Sequence, residues 1–297
     1  MQITFLGTSS MVPTKDRNHS SIYVSLKGHG FLFDCGEGTQ RQIKMAGVRP
    51  SRIDSLIISH WHGDHVLGIP GLLQTLGHND YDKNLKIYGP RGTKKYMSKT
   101  FDFFATECRV PYEAKEIGHE DMIEDNEDYS IKAYKLVHAV DCLGYVIEEK
   151  SKRRINRRFI DSKGIPDGPL LGKLQKGLPI DWKGEKIMPS DATYMTKGKK
   201  LGIIFDTKLC DSCFKIAEDT DMLICESTFT DKLRENAEHY KHMTARQAGR
   251  VAKDSGAKKL ILNHFSQRYK EPKELLNDAK KEFDNTFASE DLMKITL

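Results

Sequence analysis

Two tryptophans, six cysteines and ten prolines are all that this 297-residue chain carries of those residues. Six scattered cysteines with no framework spacing exclude a small disulfide-stapled scaffold and suit a reducing compartment. No apolar run approaches the roughly 18 residues that span a bilayer, and the opening residues lack a basic stretch followed by an apolar one. The expectation is an unexported, cytoplasmic chain with no membrane partner. Hydrophobic residues reach only 38%, but 13 Phe and 11 Tyr help to supply a core, so wholesale disorder is excluded.

A net charge of +5 is too small to imply a nucleic-acid partner by itself. Its distribution is more informative. Residues 150–200 hold 14 Lys and Arg against 5 Asp and Glu, a net of +9, which leaves −4 for the remainder. Residues 151–184 combine this basicity with Gly and Pro, as in Gly164-Ile165-Pro166-Asp167-Gly168-Pro169, and read as an insertion extended away from the core. Residues 113–130 carry eight acidic residues and one basic one, and read as a solvated loop or helix face.

Elsewhere short apolar runs alternate with helical patterns. Residues 1–6, 21–25, 30–34 and 53–59 read as strands, as do 131–137, 201–206, 221–226 and 259–264. Residues 39–46, 66–76 and 244–253 read as helices, the last with Thr244 as N-cap and Gly256 beyond its end. Such alternation predicts a layered α/β domain over residues 1–297, with sites on loops at strand ends.

One of those strands runs directly into His60-Trp61-His62-Gly63-Asp64-His65. Imidazole and carboxylate are ordinary zinc ligands, and a strand-end loop turns several of them toward one point. Four ligand-type residues in six positions predict a metal site, and Gly63 permits the tight turn between them.

This pattern resembles the signature of the metallo-β-lactamase superfamily, and the whole chain is similar to its short-form ribonuclease Z family, the tRNA 3′-processing endonucleases. The likeness rests on several further motifs. They include Pro13-Thr14-Lys15-Asp16-Arg17-Asn18, Asp34-Cys35-Gly36-Glu37-Gly38-Thr39-Gln40, Gly168-Pro169-Leu170-Leu171-Gly172, Phe205-Asp206-Thr207, Glu226-Ser227-Thr228, His242-Met243-Thr244 and Asn263-His264-Phe265-Ser266. Met243 departs from the family, where Ser is common.

The resemblance implies a four-layer αββα sandwich with a dinuclear zinc centre, manganese being the alternative metal. His60, His62 and His138 would hold one ion, Asp64, His65 and His264 the other, and Asp206 would bridge them. Two such ions activate a water and neutralise phosphodiester charge. Asp64 is then ligand and proton acceptor, and His242 the general acid, oriented by Glu226.

The resemblance also implies precursor tRNA as substrate, cut to leave a 3′-hydroxyl on the tRNA and a 5′-phosphate on the trailer. It implies a homodimer in which the arm over residues 151–184 of one subunit grips tRNA at the other's metal site. Arg153, Arg154, Arg157, Arg158, Lys173 and Lys176 suit phosphate contacts. Lys15, Arg17 and Asn18, with His19 beside them, are expected near the scissile end. Cys210-x-x-Cys213 has no second CxxC and reads as structural. Two rival readings are a phosphodiesterase or thioesterase for small substrates, which leaves the basic arm without a task, and a non-catalytic RNA-binding module with a structural metal.

Overall fold

The computed structural model describes residues 1–79, 81–102, 104, 105 and 107–297. Two seven-stranded sheets carry the fold. The first runs from edge to edge as Lys294–Thr296, Gln2–Gly7, Ser21–Leu26, His29–Phe33, Ser55–Ile57, Leu85–Pro90 and Tyr112–Ile117. The second runs as Thr286–Ala288, Leu260–Asn263, Met222–Glu226, Lys200–Ile204, Asp141–Glu149, Tyr129–Val137 and Asp121–Asp125. Each sheet begins as an antiparallel meander and continues with parallel strands.

Strand alternation assigns side chains to layers. Phe31, Phe33 and Ile57 pack between the sheets against Ile131, Tyr145 and Ile203. Leu32, Leu56 and Ile58 point the other way, onto Ile43, Leu72 and Leu76 of the helices Thr39–Met45 and Ile69–His78. The helix Ala245–Asp254 covers the second sheet through Ala248 and Val251. These four layers are the expected αββα sandwich, and both sheet faces are buried, which is why the central strands read as continuous apolar runs.

Thr244 caps its helix through a reciprocal capping box with Gln247. The helix expected over residues 66–76 is instead two pieces, Gly63–Val66 and Ile69–His78. The break follows from Gly68, whose N–H donates to Cys35 O at 2.9 Å and where an added Cβ would lie 2.1 Å from Gly36 O.

One expectation needs correction. The acidic stretch is neither loop nor helix face: most of it forms the edge strands Tyr112–Ile117 and Asp121–Asp125. Charges on edge strands discourage pairing with other chains, and buried Glu124 is satisfied by Ser55 and Tyr129 hydroxyls at 2.9 and 2.7 Å.

The basic insertion, expected to extend away from the core, is a folded unit. Lys152–Ile155 pairs with Thr193–Thr196, and between them lie the helices Arg157–Ser162 and Pro169–Gln175 and the hairpin Ile180–Trp182 with Glu185–Ile187. Ile160, Leu171, Leu174, Ile180 and Ile187 form a core of its own. The glycines and prolines that look like chain breakers act as helix boundaries. Pro169 opens a helix after Gly168, and Gly164 and Gly177 adopt φ of 60° and 81° just beyond helix ends.

Candidate metal centre

Carboxyl ends of parallel strands leave a crevice in α/β sheets, and here the two sheets aim theirs at one place. Ser55–Ile57 leads to His60, Lys200–Ile204 to Asp206 and Leu260–Asn263 to His264, and Met222–Glu226 ends on Glu226. His138 follows the antiparallel strand Tyr129–Val137. Residues 200 positions apart thereby become neighbours.

Asp206 lies at the middle. Its carboxylate is 3.7 Å from His60 Nε2, 3.6 Å from His65 Nε2, 4.0 Å from His138 Nε2 and 3.3 Å from His264 Nε2. On one side, His138 Nε2 is 3.2 Å from His62 Nδ1. On the other, Asp64 Oδ2 is 3.4 Å from His65 Nε2 and 3.6 Å from His264 Nε2. The sets His60, His62, His138 and Asp64, His65, His264 are each grouped closely enough to hold a metal ion, and so is His60, His65, Asp206.

The protons in the surrounding hydrogen bonds explain why these nitrogens face one another. His65 Nδ1 donates to Asp34 Oδ2 at 2.6 Å and His138 Nδ1 donates to the Lys241 carbonyl at 3.0 Å. With Nδ1 protonated, each ring turns an Nε2 lone pair inward. His60 Nε2 and Asp206 Oδ1 are buried without a hydrogen-bond partner. Lone pairs and carboxylate oxygens spaced by about 3.3 Å are the edge lengths of a tetrahedron with ~2.0 Å bonds to a central ion. The residues fit metal ions.

Electrostatics lean the same way. Burial lowers the pKa of His65, but Asp206, Asp64 and Asp34 outweigh it and push the pKa well above the ordinary imidazole value. Burial raises the pKa of Asp206, yet His264, His65 and His242 hold it well below the carboxylate range. The cage is built for positive charge.

His242 sits beside the cage, with Nδ1 2.9 Å from Glu226 Oε1 and 3.9 Å from Asp206 Oδ2. Burial disfavours its charge, but Glu226 and Asp206 raise its pKa to about 9, so the ring holds a proton at neutral pH. Glu226 is itself buried and fixed by the Thr207 N–H at 2.9 Å and the Thr228 hydroxyl at 2.9 Å. A cavity of about 440 Å³ opens over this cluster, lined by His62, Asp64, His138, Asp206 and His242, with Met11, Phe229 and Tyr240 at its sides. A larger hollow of about 860 Å³ beside the helix Ile69–His78 contains none of these groups.

Sequence reasoning overlooked the supports. Asp34, fully buried at φ 55°, also accepts from the Ser59 N–H and hydroxyl, both at 2.7 Å. The Met11 N–H donates to Asp64 Oδ2 at 2.8 Å. Lys241, at φ 56°, offers its carbonyl to His138 Nδ1 and its Nζ to His138 O at 3.2 Å. Met11, Asp34, Lys241 and His264 all have positive φ without being glycine, strain of the kind that gathers at functional sites. No residue type in the sequence signals it.

The expected substrate residues are placed unevenly. Lys15 is exposed, but Arg17 is buried, its Nη2 donating to Tyr269 O and its guanidinium 5.7 Å from the Phe265 ring. Asn18 Nδ2 donates to Glu37 O at 2.8 Å, and its backbone N–H to Asp291 Oδ2 at 2.7 Å. Arg17 and Asn18 thus brace the loop, and Lys15 projects from it. His19 Nε2 lies 3.2 Å from Met11 O, beneath that loop. In the arm, Arg157 pairs with Asp167 and Arg153 donates to Thr193, whereas Arg154, Arg158, Lys173 and Lys176 are exposed.

Similarity to known proteins follows this architecture. A family model described as "Anti-Pycsar protein Apyc1" matches residues 1–101, the part that carries His60 to His65. Ribonuclease Z of Methanothermobacter thermautotrophicus is 39% identical over 305 residues, spanning 99% of this chain and 96% of its own. The crystal structure of human tRNase Z, short form, superposes with a TM-score of 0.74 at 26% identity, covering 100% of this chain and 99% of that one. A metallo-beta-lactamase fold protein of Bacillus subtilis shares the fold, with a TM-score of 0.70 at 19% identity over 99% and 98% of the two chains. With 39% identity sustained from end to end, the chain belongs to the ribonuclease Z family, metal-dependent hydrolases of the metallo-β-lactamase superfamily.

Proposed function

We propose that this protein is an endoribonuclease that removes the 3′ trailer from precursor tRNA, leaving a 3′-hydroxyl on the tRNA and a 5′-phosphate on the trailer. The observation that carries the reading is the Asp206-centred cage with the His242–Glu226 pair at its edge, in a chain similar to ribonuclease Z along its length. Two zinc ions, or manganese in their place, would be held by His60, His62, His138 and Asp206 on one side and by Asp64, His65, His264 and Asp206 on the other. Bound there, they supply Lewis acidity that lowers the pKa of water and offsets charge on the phosphodiester.

The chain's own groups do the rest. Asp64, fixed by the Met11 N–H, accepts the proton of the attacking water. His242 commits Nδ1 to Glu226 and presents Nε2 to the cavity, where it gives its proton to the O3′ that leaves as the P–O3′ bond breaks. Raising the His242 pKa to about 9 keeps that proton in place until it is needed.

Residues 151–184 act as the substrate-binding arm, with Arg153, Arg154, Arg157, Arg158, Lys173 and Lys176 toward tRNA phosphates, and Lys15 near the cut. Recognition is by shape and charge, as suits a folded RNA. The enzyme works as a homodimer, one subunit's arm serving the other's centre, and in the cytoplasm. Among the described residues no helix is long and apolar enough to cross a membrane, and all six cysteines are free.

The test incubates purified protein with a trailer-bearing precursor tRNA, with and without chelator, and maps the cut. Chelator-sensitive cleavage after the nucleotide that follows the acceptor stem is expected. Metal-replete protein that leaves this substrate intact would sink the reading.

A further inference from the structure

The flank of the cavity beside His242 is aromatic. Tyr240, 55% exposed, ends the helix Arg234–Tyr240, and the left-handed Lys241 turns the chain so that the His242 N–H reaches Ala237 O at 2.7 Å. This closure ties the backbone of Tyr240 and His242 into one turn. Phe229, buried, lies 6.5 Å from Tyr240 with the rings 15° from parallel, and 6.2 Å from His242. His239 meets Tyr240 edge-on at 4.8 Å. The Arg268 guanidinium lies over Phe229 at 4.9 Å, held by the Ser266 hydroxyl at 3.1 Å.

An exposed tyrosine braced by Phe229 and His239 costs little entropy to immobilise further. Phosphodiester chemistry gives it no role. A single-stranded RNA end, however, is held by stacking its bases on aromatic rings and guanidinium planes.

The direction of the cleavage selects which base. On the functional reading above, on which this inference rests, His242 protonates the O3′ that leaves. That oxygen belongs to the last nucleotide the tRNA keeps, so this nucleotide must approach from the His242 flank. We infer that Tyr240, backed by Phe229 and Arg268, is a substrate-positioning residue that stacks on the base of the tRNA's last retained nucleotide. Because a ring face reads no base edge, the subsite accepts any base there while holding O3′ at His242.

The experiment is a cycle between protein and substrate. Tyr240→Ala and Tyr240→Phe are assayed on precursor tRNA with an intact base or an abasic residue at that last retained position, or at the first trailer position. Tyr240→Ala is expected to lower kcat/KM about tenfold on the intact substrate, the scale of one lost base stack, and Tyr240→Phe to match the unmodified enzyme. The abasic residue at the retained position should cost the unmodified enzyme a similar factor, with no further loss in Tyr240→Ala.

Equal losses from Tyr240→Ala on intact and abasic substrates would overturn the inference. So would a loss that disappears only with the abasic trailer position. A binding arm is independent of turnover: the cleavage product, tRNA ending at its last retained nucleotide with 2-aminopurine there, should be quenched by the unmodified protein and not by Tyr240→Ala. If the unmodified enzyme cleaves nothing, the functional reading fails, and the quenching alone decides the stacking.

Discussion

Asp34 Oδ2 lies 2.6 Å from His65 Nδ1, with both side chains shut away from solvent. The contact joins the end of the strand His29–Phe33 to the short helix Gly63–Val66 and settles which nitrogen of His65 faces the cage. Partners of this kind are worth roughly 10–100-fold in metal affinity. Asp34→Asn should therefore weaken zinc binding by about that factor, read by titration against a competing chelator. Unchanged affinity would show that packing alone orients His65.

The role proposed for His242 is to protonate the leaving oxygen rather than to bind substrate. His242→Ala should lower kcat on precursor tRNA by roughly 10²–10⁴-fold and change KM little. A p-nitrophenyl phosphodiester, whose leaving group needs no proton, should be hydrolysed almost as before. Glu226, together with Asp206, raises the pKa of His242 to about 9, so the acid is active below that pH and lost above it. Glu226→Gln removes this support, and the alkaline limb of the kcat profile should move to lower pH. Equal loss on both substrates would argue against general acid catalysis.

The arm predicts a separation of activities. Lys152 pairs with Thr196 at its base, so residues 153–195 can be replaced by a short linker without disturbing either large sheet. The excised enzyme should lose precursor-tRNA cleavage and keep hydrolysis of the small phosphodiester. Cleavage of tRNA by the intact enzyme should fall steeply with salt, as phosphate contacts require. Mixing excised subunits with His242→Ala subunits should restore tRNA cleavage through the mixed dimer, measured as activity against mixing ratio. Parallel loss of both activities on excision would mean that the unit supports the core.

Cys210 and Cys213 bear on reactivity rather than catalysis. Their sulfurs lie 3.7 Å apart, and the hydrogen bond from Cys213 lowers the Cys210 thiol to about 6 despite burial, while Cys213 is held well above its ordinary value. A lowered thiol pKa means thiolate above about pH 6, so iodoacetamide should label Cys210 at a rate that has levelled off by about pH 7. Labelling followed by peptide mass spectrometry checks this. A rate that still climbs through pH 8 to 9 would show an ordinary thiol.

The sequence alone determined the local features. Short apolar runs, the Thr244 cap and four ligand-type residues in six positions were readable because each rests on neighbours within a few residues. The end-of-strand positions of Asp206 and His264 were readable too, although their meeting was implied by family resemblance and not by spacing. Tertiary structure decided what distance along the chain conceals. It made edge strands of an acidic stretch, since edge positions tolerate charge on their free side, and it gave the basic insertion a core by bringing Ile160 and Leu174 together with Ile187. It buried Arg17 against Tyr269 and Phe265, and it enlisted Asp34, Met11 and Lys241 through backbone strain and hydrogen bonds that no residue pattern announces. Ligand types are written in side chains, whereas the partners that orient them depend on which strand ends the two sheets bring face to face.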